Sequence, residues 1–367
     1  MHGITKIDRG IVGCVGQLGH TWHGFPQYVE IDGIVTVAQA LAVVDYEVVK
    51  IPMAFHAENF TDPALAKVLN MHGMVPTGAE DEDGTTCPFM YGLVRADKGI
   101  LIYPESVGAG YTIYQNRTFL QLLNDALLKD NPQVIIESAG TLFAGRNCFI
   151  NLVLNQFRIG KDPSEQITRI MFYNAFGGKS ITACMHFIRV VCNNTLMLAE
   201  AQGALNESLR KYRHTSGAAE AVANHIVDLA KLDQIVQDRK QMLEHLTDVP
   251  MTAIDVENFL GCLIEIGKDA GKAMRTRREN IRGEIKTIFD QAPDLQGQIK
   301  HTRYAMLQAV TCYSQHHTIP ENSTEVDEAF AWWDVSTGGV RNTMNQKALE
   351  ILTKTDIQTP KSNVKEE

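Results

Sequence analysis

Apolar runs alternate with turn residues through the middle of the chain, and this pattern predicts an antiparallel sheet. Four runs rich in β-branched and aromatic residues cover 134–143, 148–157, 167–175 and 180–191. The segments between them are short and rich in Gly, Asn and Asp, which is typical of turns. Connections this short force neighbouring strands to be antiparallel, so the pattern predicts a four-stranded meander.

Other segments before residue 215 alternate or repeat with a helical period. In chain order they predict a helix over 37–44, an extended segment over 46–53, a hairpin of 89–95 and 100–103, and helices over 118–128 and 195–212. Asp97-Lys98-Gly99 supplies the hairpin turn, and Asn116 and Asn194 are the predicted helix caps. The helix over 195–212 is expected to cover one face of the meander.

The pattern after His214 is helical throughout. Ser216 is placed to cap a long helix that extends to about residue 246, and Thr252 with Asp255 forms a capping box for the next one. The predicted helices cover 217–246, 253–266, 273–289, 304–313 and 342–353. The sequence therefore predicts an α+β fold, an antiparallel β-meander packed by helices with a mainly helical C-terminal half.

Changes in pattern also suggest a domain organisation. We expect a mixed N-terminal segment over 1–87, a meander-plus-helix core over 88–215, a helical region over 216–358 and a polar tail over 359–367. The boundary near residue 87 follows a Gly-rich, acidic stretch at 78–84, which reads as a connecting loop.

Composition narrows the class of protein. The chain has 367 residues, 44% of them hydrophobic and 21% charged, which is ordinary for a globular protein. Its first residues carry charges where a signal peptide needs an apolar run, and no uncharged run approaches the ~20 residues that span a membrane. Seven widely spaced cysteines fit reduced thiols better than disulfides. We therefore expect a cytoplasmic protein with no membrane partner.

Charge is unevenly distributed. The net charge of −9 argues against coating duplex DNA by charge alone. Residues 268–303 nevertheless contain nine Lys or Arg against five Asp or Glu. A local basic excess of this kind is a candidate phosphate-binding surface.

Motifs for catalysis or cofactor binding are incomplete. Gly177-Gly178-Lys179-Ser180 resembles the end of a P-loop, but the required earlier glycine is Tyr173 and a strand-like run follows, so a hairpin turn is the favoured interpretation. Two histidine and cysteine groups, near residues 14–23 and 312–317, lack zinc-site spacing and fit scattered structural side chains better. The sequence predicts no cofactor, no metal and no catalytic residues, and an enzyme is the less favoured class.

Polar donors are concentrated after the last meander strand. We expect these donors to gather at one end of the sheet and hold phosphates, while Tyr173, Phe176 and Phe187 stack on bases. The members of this polar cluster are Arg189, Asn193, Asn194, Arg213 and His214. A strand-to-helix junction with an Asn cap is the equally open alternative. The full set of candidate nucleic-acid-binding residues is Arg146, Lys179, Arg189, Asn193, Asn194, Arg213, His214, Arg275, Arg277 and Arg278.

The same segments resemble a known family. Residues 189–196 (RVVCNNTL) with Arg213-His214-Thr215, together with 22–24, 139–146 and 309–316, resemble the phage/plasmid-like family called domain of unknown function 932. Where this resemblance leads us to expect an acidic residue, the chain has Cys312. The resemblance implies residence on phages or plasmids and supplies no catalytic residues. The meander followed by a helix is similar to single-strand annealing recombinase cores, by analogy of fold alone.

These observations lead to one leading hypothesis and two alternatives. We expect a protein that binds or anneals single-stranded DNA, with RNA as an open alternative, during phage or plasmid recombination or replication. The alternatives are an anti-defence or host-takeover interaction protein and a metal-dependent nuclease or hydrolase. Because the meander has two edges rich in β-branched residues, we also expect a homo-oligomer that forms a ring or filament.

Overall fold

The computed structural model describes a sheet domain and a helical region that pack on each other. It describes residues 11–17, 28–31, 33–52, 55–56, 76–77, 90–102, 106–142, 145–177, 181–189, 194–197, 209–227, 229–318 and 340–357. The strands are β1 Ile11–Gln17, β2 Tyr28–Ile31, β3 Val48–Pro52, β4 Phe55–His56, β5 Pro76–Thr77, β6 Met90–Arg95, β7 Ile100–Leu101, β8 Val107–Gly108, β9 Ile135–Leu142, β10 Asn147–Arg158, β11 Glu165–Ala175, β12 Ile181–Arg189, β13 Asn194–Met197 and β14 Leu209–Tyr212.

Eight α-helices accompany these strands in the described part of the chain. They are α1 Val37–Val44, α2 Asn116–Leu123, α3 Ala218–Val227, α4 Leu229–Asp248, α5 Ala253–Leu263, α6 Lys272–Gln291, α7 Arg303–Cys312 and α8 Val340–Leu352. Two π-helical turns, Asn124–Leu128 and Tyr313–His317, continue α2 and α7. The mixed α+β class predicted from the pattern is confirmed. Among the described residues no helix has the length and apolarity needed to cross a membrane.

The predicted meander is the centre of the main sheet. Its strands β9, β10, β11 and β12 pair antiparallel in sequence order. Two turns between them use glycines with positive φ, Gly145 at +97° and Gly160 at +46°. At Gly160 a Cβ would lie 2.4 Å from Thr247 Oγ1 of α4, so this turn also needs glycine for close approach to the helix.

The edges of the meander are covered, contrary to the prediction. The sheet order is β13-β12-β11-β10-β9-β1-β2, with β14 also paired to β12. The predicted helix over 195–212 is therefore wrong, since β13 and β14 lie in that range and pair along β12. Pairing satisfies the backbone groups of an edge strand, and here it outweighs the helical pattern. Open edges no longer support the predicted homo-oligomer.

The predictions of individual caps, turns and helices are partly confirmed and partly wrong. The capping box of Thr252 and Asp255 is present, and so is the 89–103 hairpin as β6 and β7. Asn116 does not cap α2, because it is buried within the first turn and its side-chain amide donates to Val44 O at 3.1 Å. The predicted long helix after Ser216 is present as α3 and α4, with residue 228 outside the described residues.

The helical region is organised around α7. All its residues from Tyr304 to Thr311 are buried, because α4, α6 and α8 surround it and β13 lies at its side. A single hydrophobic cluster runs from the meander residues Ile150 and Phe172 to Leu307 of α7 and Leu349 of α8. The sheet and the helices therefore share a core, while the predicted domain boundaries stay a prediction.

Candidate nucleic-acid interface

The predicted polar cluster is divided between the two ends of the sheet. His214 lies at one end, because its Nε2 is 3.2 Å from Ala175 O. Arg146, a candidate outside this cluster, lies at the same end, because Phe176 N donates to Arg146 O at 2.9 Å. Arg213 is exposed at the same end. Lys179 and Asn193 lie outside the described residues.

The remaining two members lie at the opposite end. Arg189 pairs with Gln166 and Asn194 at the far end of β12, and only the backbone of Arg189 and Asn194 is described. Eight strand residues separate Arg189 from Ile181, which corresponds to roughly 26 Å. The prediction that these donors gather at one end of the sheet is therefore wrong.

His214 itself is part of the protein interior. Its ring is 5% exposed and stacks on Tyr111 with ring centroids 4.8 Å apart. Burial lowers its pKa, so the neutral form is favoured. The aromatic residues expected to stack on bases are also buried, with Phe176 at 0% and Phe187 at 2% exposure. These side chains pack the fold and are not accessible to a nucleic-acid strand.

One face of α6 attaches the basic region to α5. Arg282 Nε donates to Ile264 O at 3.0 Å, and Arg278 donates to Glu265 O, both just past the end of α5. Lys286 forms an ion pair with Glu257 at 2.7 Å. Because the C-terminal carbonyls of a helix lack intrahelical donors, the two arginines complete the end of α5. Arg278 thus makes a structural contact, and its predicted phosphate binding stays a prediction.

The opposite face of α6 opens onto a cavity. The cavity has a volume of about 850 Å³ and lies between the 272–284 part of α6 and the π-helical turn after α7. From α6 its polar lining consists of Lys272, Thr276, Arg277, Asn280 and Glu284. From the π-helical turn it receives the rings of Tyr313 and His317. Of the predicted residues whose side chains the structure describes, only Arg277 lines this cavity, while Arg275 is exposed outside it.

The cations of the cavity are not engaged within the protein. Lys272 and Arg277 are exposed, and neither donates a hydrogen bond or forms an ion pair within the part of the chain that the structure describes. Burial raises the pKa of Tyr313, the Glu284 carboxylate raises it further and the Arg277 guanidinium opposes both. Charges of both signs therefore act on the Tyr313 hydroxyl.

The aromatic wall is held by the π-helical turn. The rings of Tyr313 and His317 are nearly parallel, with centroids 6.3 Å apart and an angle of 20°. Ser314 Oγ donates to Asn345 Oδ1 of α8 at 2.8 Å, and Thr318 Oγ1 donates to Ser314 O at 2.8 Å. π-Helical turns are rare in proteins, and those that occur are often found at functional sites. The π-helical turn therefore supports this cavity as a candidate site.

Sequence reasoning missed most of this site, although one signal was available. Lys272, Thr276, Asn280 and Glu284 follow each other at four-residue steps, and so do Arg278, Arg282 and Lys286. Residues four apart share a face of a helix, so the two rows could have been separated. Nothing local indicates that the π-helical turn faces the first of them. Among the described residues no three His, Cys, Asp or Glu side chains converge as a metal site requires.

The fold and the cavity define an α+β protein with a helix-packed antiparallel sheet and a basic, aromatic cavity on its helical side. Residues 104–352 match the family described as Domain of unknown function (DUF932), which confirms the resemblance. The chain therefore belongs to this family, and the matched range includes the meander, α6 and the π-helical turn. The resembling segment at 22–24 lies before the matched range. No curated protein and no solved structure matches the chain.

Proposed function

We propose that the protein binds single-stranded nucleic acid in the cavity between α6 and the π-helical turn. The observation that carries the proposal is the combination of Lys272 and Arg277, without partners among the described residues, with the ring pair of Tyr313 and His317. Cations neutralise phosphates, and aromatic rings stack on unpaired bases, so the two together suit a single strand.

The size and shape of the cavity support the same conclusion. Its volume of about 850 Å³ falls in the range of roughly 300–1,000 Å³ that is usual for small-ligand sites. Bases stacked inside a duplex do not present their faces to such a concave site. The net charge of −9 also disfavours general attraction to duplex DNA, so binding has to come from this local basic surface.

The wider setting is part of the proposal. A protein of this kind would coat or anneal strands during phage or plasmid recombination or replication, in the cytoplasm of the cell that makes it. Assembly into a ring or filament would add contacts along a long strand, although the covered edges of the meander give it no support. Light scattering with and without an oligonucleotide tests the assembly separately.

Binding of a labelled 12-nucleotide DNA, followed by fluorescence anisotropy at several salt concentrations, tests the proposal. Replacing two cations, Lys272→Ala with Arg277→Ala, is expected to weaken binding by at least about tenfold, because two phosphate contacts are lost. The matched control Lys98→Ala with Lys129→Ala removes the same charge from exposed sites on the sheet side and is expected to leave binding unchanged.

Three results would contradict the proposal. Wild-type protein that shows no salt-sensitive binding to any oligonucleotide would remove nucleic-acid binding altogether. Equal losses for the cavity pair and the control pair would remove the cavity as the site. A selective loss in Arg146→Ala with Arg213→Ala would move the interface to the end of the sheet.

A second candidate function is protein binding, and one surface favours it. The outer face of the small β3-β6-β7 sheet carries Val49, Ile51, Val94 and Leu101, which share that face by their pairing. Ile51 is 43% and Leu101 49% exposed. Apolar faces of this kind are typical of protein interfaces. The double variant Ile51→Asp with Leu101→Asp tests this function. Loss of a stoichiometric protein partner, with oligonucleotide binding unchanged, would support it.

A further inference from the structure

The cavity contains a carboxylate that a purely phosphate-binding site would not need. Glu284 is the one acidic residue among the described residues that line it. In that part of the chain it forms no hydrogen bond and no ion pair, so it does not serve to hold α6 in place. Glu284 is exposed, and because a carboxylate near a phosphate is unfavourable, a phosphate-bearing ligand would place another of its groups against this side chain.

The charges of the cavity are separated along α6. Lys272, Thr276 and Arg277 belong to its first two turns, whereas Glu284 lies seven residues after Arg277, which corresponds to roughly 10 Å of helix. Tyr313 lines the same cavity, and both Arg277 and Glu284 act on the pKa of its hydroxyl. A nucleotide has the same order of groups, an anionic phosphate at one end and the edge of its base at the other.

The chemistry of a carboxylate discriminates among unpaired bases. An ionised carboxylate only accepts hydrogen bonds. Guanine offers it two adjacent donors, the N1 imino and the exocyclic N2 amino group. Adenine and cytosine offer one amino group beside an acceptor. Thymine and uracil offer one imino group between two carbonyls, which repel the carboxylate.

A neighbouring side chain completes the match. Asn280 lies four residues before Glu284, so the two share the cavity face of α6. The amide nitrogen of Asn280 is a donor, and the guanine O6 carbonyl next to N1 is an acceptor. We propose that Glu284 and Asn280 make this cavity select an unpaired guanine over the other bases, an inference that rests on the proposed single-strand binding.

Four labelled 12-nucleotide DNAs test the selection, each all thymidine except for one central dG, dA, dC or dT. A single dG avoids guanine-quadruplex formation. Wild-type protein is expected to bind the dG strand on the order of tenfold more tightly than the all-dT strand, as one bidentate base contact provides. Glu284→Gln is expected to bring the dG and all-dT affinities within about twofold of each other, because Gln presents a donor as well as an acceptor.

The control is Glu279→Gln, which removes the same charge from an exposed position of α6 outside the cavity and should keep the dG preference. Equal binding of all four strands by wild-type protein overturns the selection and leaves single-strand binding standing. Equal loss of preference in both variants assigns it to net charge and overturns the role of Glu284. Absence of binding to any strand overturns the proposed function together with this inference.

Discussion

The two faces of α6 use the same kinds of residue for different purposes. Arg278 and Arg282 donate to carbonyls past the end of α5, and Lys286 pairs with Glu257. On the other face Lys272 and Arg277 make no such contact among the described residues and line a cavity. A count of basic residues treats the faces alike. What distinguishes them is whether a carbonyl or carboxylate of the protein already satisfies the cation.

The largest effect is expected from substitutions on the face of α6 that contacts α5, and it is an effect on stability. Arg282→Ala removes a charged donor from the half-buried end of α5, and charge-assisted hydrogen bonds of this kind contribute about 2 kcal/mol. We expect the free energy of unfolding, measured in urea, to fall by that amount. Arg275→Ala, at an exposed position of the same helix, should change it by less than about 0.5 kcal/mol. Equal changes would mean that the α5 contact is not the source.

Adjacent residues provide the sharpest separation of binding from stability. Arg277→Ala is expected to weaken oligonucleotide binding about fivefold and to reduce the salt slope by about 1, with stability unchanged, because one phosphate contact is lost. Arg278→Ala is expected to lower the free energy of unfolding and to leave oligonucleotide binding unchanged, since its guanidinium donates to Glu265 O. Anisotropy titrations and urea unfolding of the two variants measure both properties. If Arg278→Ala lost binding with an unchanged free energy of unfolding, the distinction between the two faces of α6 would be wrong.

The smallest effect is expected at Lys286. Its ion pair with Glu257 is exposed, and such pairs contribute less than about 1 kcal/mol. The hydrogen bond to Glu257 raises the pKa of Lys286 above its ordinary value. The contribution is therefore present at neutral pH and is lost as the pH rises through the raised pKa. Urea midpoints of Lys286→Ala and wild-type protein should converge at strongly alkaline pH, and a constant difference would mean that the pair is not responsible.

Sequence reasoning found the meander because its signals are local. Runs of strand-forming residues and glycine turns at positions such as Gly145 and Gly160 need no partner to be recognised. It missed β13 and β14, whose residues have a helical pattern and become strands only because β12 offers an edge. Pairing with a distant strand overrides local preference, and this information is not present in the segment itself.

The site shows the same limit. Charge alone indicates the basic region over 268–303 and predicts Arg277 as a nucleic-acid-binding residue. The cavity, however, depends on Tyr313 and His317, which reach α6 only because α7 is buried between its neighbours. His214 and Phe176 were named for phosphate and base contacts and are instead buried at the end of the sheet. Exposure is a property of the packed structure and could not be predicted from residue type.

Photo-crosslinking tests the central claim most directly, because it locates the strand on the protein. A 12-nucleotide DNA with one 4-thiothymidine next to a central dG would be irradiated with wild-type protein, and the adducts would be assigned by mass spectrometry. We predict adducts on Tyr313 or His317, and their loss at high salt or with an excess of unlabelled strand. Adducts confined to peptides that contain Arg146 or Arg213, with none on the π-helical turn, would contradict the account.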